Sequence, residues 1–184
     1  SDLYAIWGSD SQDVWVGGKD GRLLHWNGQH WTASNLASRS TIFGLWGVSR
    51  SNIWAVGQKG SISSWDGSSW AEAEVKPTTD DIRGVWGSGT GDIWAVTANS
   101  WPLHFNGSNW SLFKSGSSAG SLGIWGSSPQ DAWRVGYYGL VQHWDGIRWN
   151  PVDVNTPSYT PGWTRFAVWG SGPNDVWTIG EFGT

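Results

Sequence analysis

The reactive inventory of this 184-residue chain is short, and it limits what chemistry the chain could do. There are three glutamates, Glu72, Glu74 and Glu181, and no spacing pairs them as the acid and base of ordinary glycoside hydrolysis. No Ser-His-Asp motif and no phosphate-cradling loop is present. Cysteine is absent, which removes thiolate nucleophiles, disulfide staples and thiolate metal sites. His25, His104 and His143 occupy one recurring position, with Ser64 in the remaining instance. Equivalent positions in separate repeats lie too far apart to share an ion, so a hydrogen-bonding role beside the Asx-Gly turns is expected instead of metal ligation. The expectation is therefore no catalytic residue, no metal and no cofactor.

What remains is aromatic. Trp101, Tyr137, Tyr138, Tyr159, Trp163 and Phe182 fall where an otherwise regular pattern breaks, at loop positions for which packing supplies no reason. Exposed rings beside Ser, Asn and Gly suit sugars, whose C-H faces stack on the ring while their hydroxyls find amide and hydroxyl partners. The competing reading is that these loops cover a neighbouring repeat or a partner subunit. None of the six recurs at a fixed position in every unit, which limits a sugar site to one or two per chain.

The elements that hold these residues come from an internal repeat. Trp-Gly stands at 7–8, 46–47, 86–87, 125–126 and 169–170, and a second Trp follows eight residues later at 15, 54, 94, 133 and 177. Eleven residues further come Trp26, Trp65, Phe105 and Trp144, each followed by Asn-Gly or Asp-Gly and one more Trp. A period of roughly 40 residues fits one supersecondary unit. Within it no helical period is sustained; short apolar runs alternate with turn signals, which predicts four strands per unit. First strands are expected at 3–7, 42–46, 82–86, 121–125 and 165–169. Two residues before each Trp stands Ala or Gly, as a strand crowded near a central axis would require. Asp13, Asn52, Asp92, Asp131 and Asp175 are expected to accept backbone N-H groups at the entry to the second strand. The Gly-x-x-Gly segments at 57–60, 136–139 and 180–183 fit tight hairpins with positive φ.

Four antiparallel strands repeated in tandem predict an all-β chain, a β-propeller of four-stranded blades with about 4.5 repeats. The repeats run 1–41, 42–80, 81–120, 121–164 and, as a half, 165–184, forming a single array. Unpaired strand edges invite association. A piece of a larger ring, or a homo-oligomer in which another chain completes the half-blade, is the expectation.

The skeleton resembles the tectonin repeat, carried here by Val14-Trp15 and Val176-Trp177, the Gly-bearing hairpins and turns such as Asp66-Gly67-Ser68-Ser69-Trp70 and Asp145-Gly146-Ile147-Arg148-Trp149. It is also similar to the Asp-box (BNR-type) repeats of sialidase-like propellers. It departs from the form S-x-D-x-G-x-T-W, because Ser64-Trp65-Asp66-Gly67-Ser68-Ser69-Trp70 is one residue shorter between Asp and Trp. The tectonin resemblance implies a lectin. Sialidase chemistry would need an Arg cluster and a Tyr-Glu pair, and the seven Arg do not recur in register.

Composition narrows the partners. With a net charge of −4 and only four Lys, no surface is basic enough to neutralise nucleic-acid phosphates. No window approaches a membrane span and no N-terminal signal pattern appears. The 19 Trp and 27 Gly mark a chain packed by stacked rings. Its Ser- and Gly-rich, Lys-poor character points to a secreted or cell-surface setting. The expected function is non-enzymatic carbohydrate binding; the alternative is a protein-protein interaction scaffold or a non-catalytic accessory part of a larger secreted protein.

Overall fold

The computed structural model describes residues 2–114, 116–154 and 162–181. The first blade comprises β1 (Leu3–Asp10), β2 (Asp13–Gly18), β3 (Arg22–Trp26) and β4 (Trp31–Asn35). The second has β5 (Ile42–Ser49), β6 (Asn52–Gly57), β7 (Ile62–Trp65) and β8 (Trp70–Glu72). The third has β9 (Ile82–Gly89), β10 (Asp92–Thr97), β11 (Leu103–Phe105) and β12 (Trp110–Leu112). The fourth has β13 (Ser121–Ser128), β14 (Asp131–Gly136), β15 (Val141–Trp144) and β16 (Trp149–Pro151). A last pair, β17 (Arg165–Gly172) and β18 (Asp175–Gly180), forms a two-stranded sheet. Each four-stranded sheet is an antiparallel meander in chain order, so the expected propeller architecture holds, as an open ring of four blades and a half.

The first strands β1, β5, β9, β13 and β17 lie against one another along the axis. The small residue two places before each Trp is explained by that crowding. A Cβ on Gly44 would stand 3.3 Å from the Gly84 Cα, and one on Gly123 would stand 3.1 Å from the Ala167 Cα. Each first strand also slips register once near its start, at Tyr4, Phe43, Arg83, Leu122 and Phe166. Bulges of this kind re-aim a side chain, and here they turn these five residues into the axial channel.

Two aromatic devices join the blades. The Trp of each Trp-Gly pair covers the Gly of the next: a Cβ on Gly47 would lie 2.8 Å from Trp7, on Gly87 2.8 Å from Trp46, and on Gly126 2.6 Å from Trp86. The second-strand Trp inserts between the two rings at the next blade's outer hairpin. Trp15 meets Trp65 at 5.1 Å and Trp70 edge-on at 5.5 Å; Trp94 meets Trp144 at 4.7 Å and Trp149 edge-on at 5.3 Å. Each ring so buried contributes about 2–3 kcal/mol. Because both faces of β6 are covered by neighbouring blades, Ile53-Trp54-Ala55-Val56 is an unbroken apolar run.

Candidate ligand-binding face

The repeated polar residues form a network that the sequence reading described incompletely. Asp13 does not cap backbone amides. Its carboxylate accepts the Ser9 hydroxyl at 2.6 Å on one oxygen and the His25 Nε2 at 2.7 Å on the other, while the His25 ring stacks on Trp15 at 4.0 Å. The same set recurs as Ser88, Asp92, His104 and Trp94, and as Ser127, Asp131, His143 and Trp133. The expected hydrogen-bonding role of the histidines therefore holds, with the partner lying across the sheet. Burial would raise the Asp92 pKa, but hydrogen bonds from His104 and Ser88 outweigh it and hold the carboxyl below its usual range. Ser, His and Asp are together here, yet the Asp stands between the other two. An activated nucleophile needs the Ser hydroxyl on the His ring. This arrangement locks neighbouring strands together, with the Ser hydroxyl on the carboxylate and not on the ring. Among the described residues no group of three His, Asp or Glu is placed to hold a metal.

The two ends of the array differ in regularity. At one end the Asx-Gly turns pack on the β1–β2 type turns, and Trp26, Trp65 and Trp144 donate their Nε1-H to Ser11, Arg50 and Pro129 carbonyls. The Asp66 carboxylate accepts the Ser69 and Ser68 amides, which lower its pKa to about 2. The Asx-Gly turn repeats in all four blades, with Phe105 in place of the indole in the third.

The opposite end carries the β2–β3 type hairpins. Residues 19–21, 58–60 and 137–139 form one turn, in which Asp20, Lys59 and Tyr138 sit at φ 58°, 54° and 57° and the following Gly at 69°, 68° and 73°. Two successive positive φ values define a type I′ turn. The first Gly of the motif is extended and not at positive φ. It is needed for space, since a Cβ on Gly57 would lie 1.9 Å from the Thr41 carbonyl oxygen and one on Gly136 would lie 2.2 Å from that of Gly120. In the third blade Thr97 replaces that Gly. Its hydroxyl donates to the Ser100 carbonyl at 2.8 Å and accepts the Ser100 amide at 3.1 Å, which holds an irregular turn.

Of the aromatic candidates among the described residues, Tyr137 and Tyr138 share a groove at this end. Tyr138 is 82% exposed at the tip of its turn, and Tyr137 is half-buried with its ring 6.5 Å away. Both line a groove of about 330 Å³ with Ala98, Asn99, Ser118, Ala119 and Gly120. Trp101 is half-buried in the third hairpin and does not line it. Trp163 sits one linker further on, beside Thr164, whose carbonyl accepts the Glu181 amide as Gly120 accepts that of Tyr137. Tyr159 and Phe182 lie outside the described residues.

Sequence reasoning missed the axial channel, about 410 Å³, where Arg83 lies 4.3 Å over the Phe43 ring and pairs with Asp81 at 3.0 Å. The available signal was one cation among Tyr4, Phe43, Leu122 and Phe166 at a single register position. It also missed Arg134, which is fully buried and bonded to the Gln142 side chain, the Ser121 hydroxyl and the Ser117 carbonyl. Burial without a carboxylate pushes its pKa down to about 10.

Radial antiparallel sheets around an axial channel define a β-propeller. Solved structures agree on that class. The chain is similar to the structure described as YCF48 bound to D1 peptide, with TM-score 0.68 at 16% identity over 97% of this chain and 74% of that one. It is similar to the computationally designed Ika8 protein, with TM-score 0.71 at 15% identity over 97% and 59%. It is similar to the WD40 propeller domain of Doa1, with TM-score 0.72 at 8% identity over 97% and 61%. Identities this low speak for fold alone. No protein-family model and no curated protein matches the sequence, so neither tectonin nor Asp-box membership is established.

Proposed function

We propose that this chain is a non-enzymatic protein-interaction module that holds an extended segment of a partner protein in the groove beside Tyr137 and Tyr138. The observation that carries the reading is Tyr138, a large ring held out in water on a turn of fixed geometry, beside Asn99 and Ser118. Amide and hydroxyl groups along such a groove can pair with peptide backbone, and the two rings can cover apolar side chains. Similar propellers support the reading, one of them solved with a peptide. A secreted or cell-surface setting, suggested by composition, belongs to the same proposal. A second reading is favoured by the same residue: the open face of Tyr138 could stack on a sugar ring, which would make the module a lectin.

One paired selection separates the two. Phage-displayed peptides and a glycan array are probed with the wild-type chain and with Tyr138→Ala. The proposal expects a peptide motif enriched at least tenfold on wild type and lost on the variant. Glycan binding that depends on Tyr138, with no peptide enrichment, would transfer the function to sugar recognition.

A further inference from the structure

A single residue decides whether the outer groove between two neighbouring blades is open or filled. It lies three places after the Trp that begins each fourth strand: Ser34 in the first blade, Ala73 in the second and Phe113 in the third. Ser34 pairs with Leu23, and the Ala73 and Phe113 amides donate to the Ile62 and Pro102 carbonyls, so the three hold one place in the meander. At the junction of the third and fourth blades the Phe113 ring fills the groove. It meets Trp94 at 5.0 Å and 76° and Trp144 of the next blade at 5.2 Å and 85°, with His104 at 6.2 Å. Edge-on contacts of this kind are what the charge distribution of aromatic rings favours.

The junction of the first and second blades has the same cradle with Ser34 in place of that ring. Trp15 stands 5.1 Å from Trp65 at 54°, against 4.7 Å and 55° for Trp94 and Trp144. Trp15 lies 4.0 Å from His25, against 4.2 Å for Trp94 and His104, and each imidazole is held by its Asp across the sheet. The cradle is therefore set by the blades and not by Phe113. With a hydroxymethyl group where the third blade has a benzyl group, a groove of about 440 Å³ opens over Trp15, Trp65 and Trp70, with Thr32, Ser34 and Asn35 exposed along it. A dry cavity of about 150 Å³ is enough to hold benzene. No Lys, Arg, Asp or Glu among the described residues lines this groove. The equivalent groove of the second blade is smaller, about 270 Å³, and carries Glu72 and Glu74.

We propose that the groove between the first and second blades binds a neutral aromatic ring, a phenyl or phenol group seated edge-on against Trp15 and Trp65 as Phe113 is against Trp94 and Trp144. The Ser34 hydroxyl and the Asn35 amide supply hydrogen-bonding groups for a polar substituent on the solvent side. The ring can belong to a free small molecule or to an aromatic side chain of a peptide, and the chemistry that recognises it is the same. This site is distinct from the groove beside Tyr137 and Tyr138 and does not rest on the function proposed for it.

The test titrates p-cresol into the wild-type chain and follows the indole N-H signals of Trp15, Trp65 and Trp70 in proton-nitrogen correlation spectra. Saturable shifts with a Kd on the order of 1 mM are expected for a ligand this small. Ser34→Phe, at an exposed position, lets the chain supply the ring itself; it should melt no lower than wild type and weaken p-cresol by about tenfold or more. Phe113→Ser opens the third junction and should add a second site, reported by the Trp94 and Trp144 signals. Replacing p-cresol by the peptide Gly-Gly-Tyr-Gly-Gly separates the sources: binding tighter by about tenfold or more assigns the ring to a peptide side chain, and equal or weaker binding assigns it to a free small molecule. Either result supports the site. It is overturned if p-cresol gives no saturable shift by about 10 mM, which is tenfold above the expected Kd. Unweakened binding to Ser34→Phe, a folded Phe113→Ser with no second site, or a methyl glycoside that moves the same signals where p-cresol does not would overturn it as well.

Discussion

At the scale of single residues, the Ser-Asp-His-Trp set is a fastening whose members depend on one another. Replacing His104 by Ala leaves the Asp92 oxygen without its 2.7 Å partner and removes a stacked ring from Trp94. The expected cost is about 1–3 kcal/mol, read from the denaturant midpoint. The pH dependence follows from the carboxylates. Asp92, Asp145 and Asp175 titrate below their usual value in the folded chain, and Asp66 at about 2. Groups with depressed folded pKa contribute stability above their unfolded value of about 4, and that contribution is lost as pH falls through the folded one. The melting temperature should be level from pH 7 to about 4 and fall between 4 and 2; a flat profile to pH 2 would contradict it. The network was only half legible in the sequence, because Asp and His are twelve residues apart and meet across a strand pair. A sharper signal was there: the second unit has Val48, Asn52 and Ser64 where three others have Ser, Asp and His, so the set is lost together. The Asn52 Oδ1 is left buried without a partner. Asn52→Asp with Ser64→His should restore the bond and add roughly 1 kcal/mol.

At the scale of strands, glycine positions separate space from conformation. Gly87→Ala places a Cβ 2.7 Å from the Asp92 carbonyl oxygen and 2.8 Å from Trp46, so it should destabilise by about 1–3 kcal/mol. Gly89→Ala, on the same strand with nothing within 4 Å, should change stability by less than about 0.5 kcal/mol. Equal effects in equilibrium unfolding would refute the Trp-on-Gly account of blade joining. The sequence pattern marks Gly87, which recurs in every Trp-Gly pair, without its reason, because a missing Cβ shows in sequence but the atom that would strike it does not. Arg134 tests the fourth blade in the same way. Val16 and Leu24 hold the register positions that Arg134 and Gln142 occupy. The double change Arg134→Val with Gln142→Leu should be neutral or stabilising by about 1–4 kcal/mol, since it removes a buried charge together with its side-chain amide acceptor. Gln142→Leu alone leaves the buried guanidinium with only the Ser121 hydroxyl and the Ser117 carbonyl and should cost about 1–3 kcal/mol.

At the scale of the molecule, the fold and the proposed function are written in different residues. The fold was legible because the units repeat it: Trp-Gly and the second Trp mark five places and the Asx-Gly turn four, and so many instances outvote local ambiguity. The site was legible only as a set of departures. Of the six aromatic candidates, Tyr137 and Tyr138 share a groove because the type I′ turn lifts them beside the irregular third hairpin. Trp101 stands in the same kind of hairpin and is half-buried because Thr97 has rebuilt that turn. No one-dimensional pattern carries that distinction, since it depends on which way a turn folds back on its linker. The central claim is that the repeat carries the fold and the departures carry the binding. It is tested most directly by titration calorimetry of a selected peptide against wild type, Tyr138→Ala and His104→Ala, each with its melting temperature. The account predicts that Tyr138→Ala melts like wild type and loses at least tenfold in affinity, whereas His104→Ala melts lower and binds like wild type while folded. Equal affinities for wild type and Tyr138→Ala would contradict it.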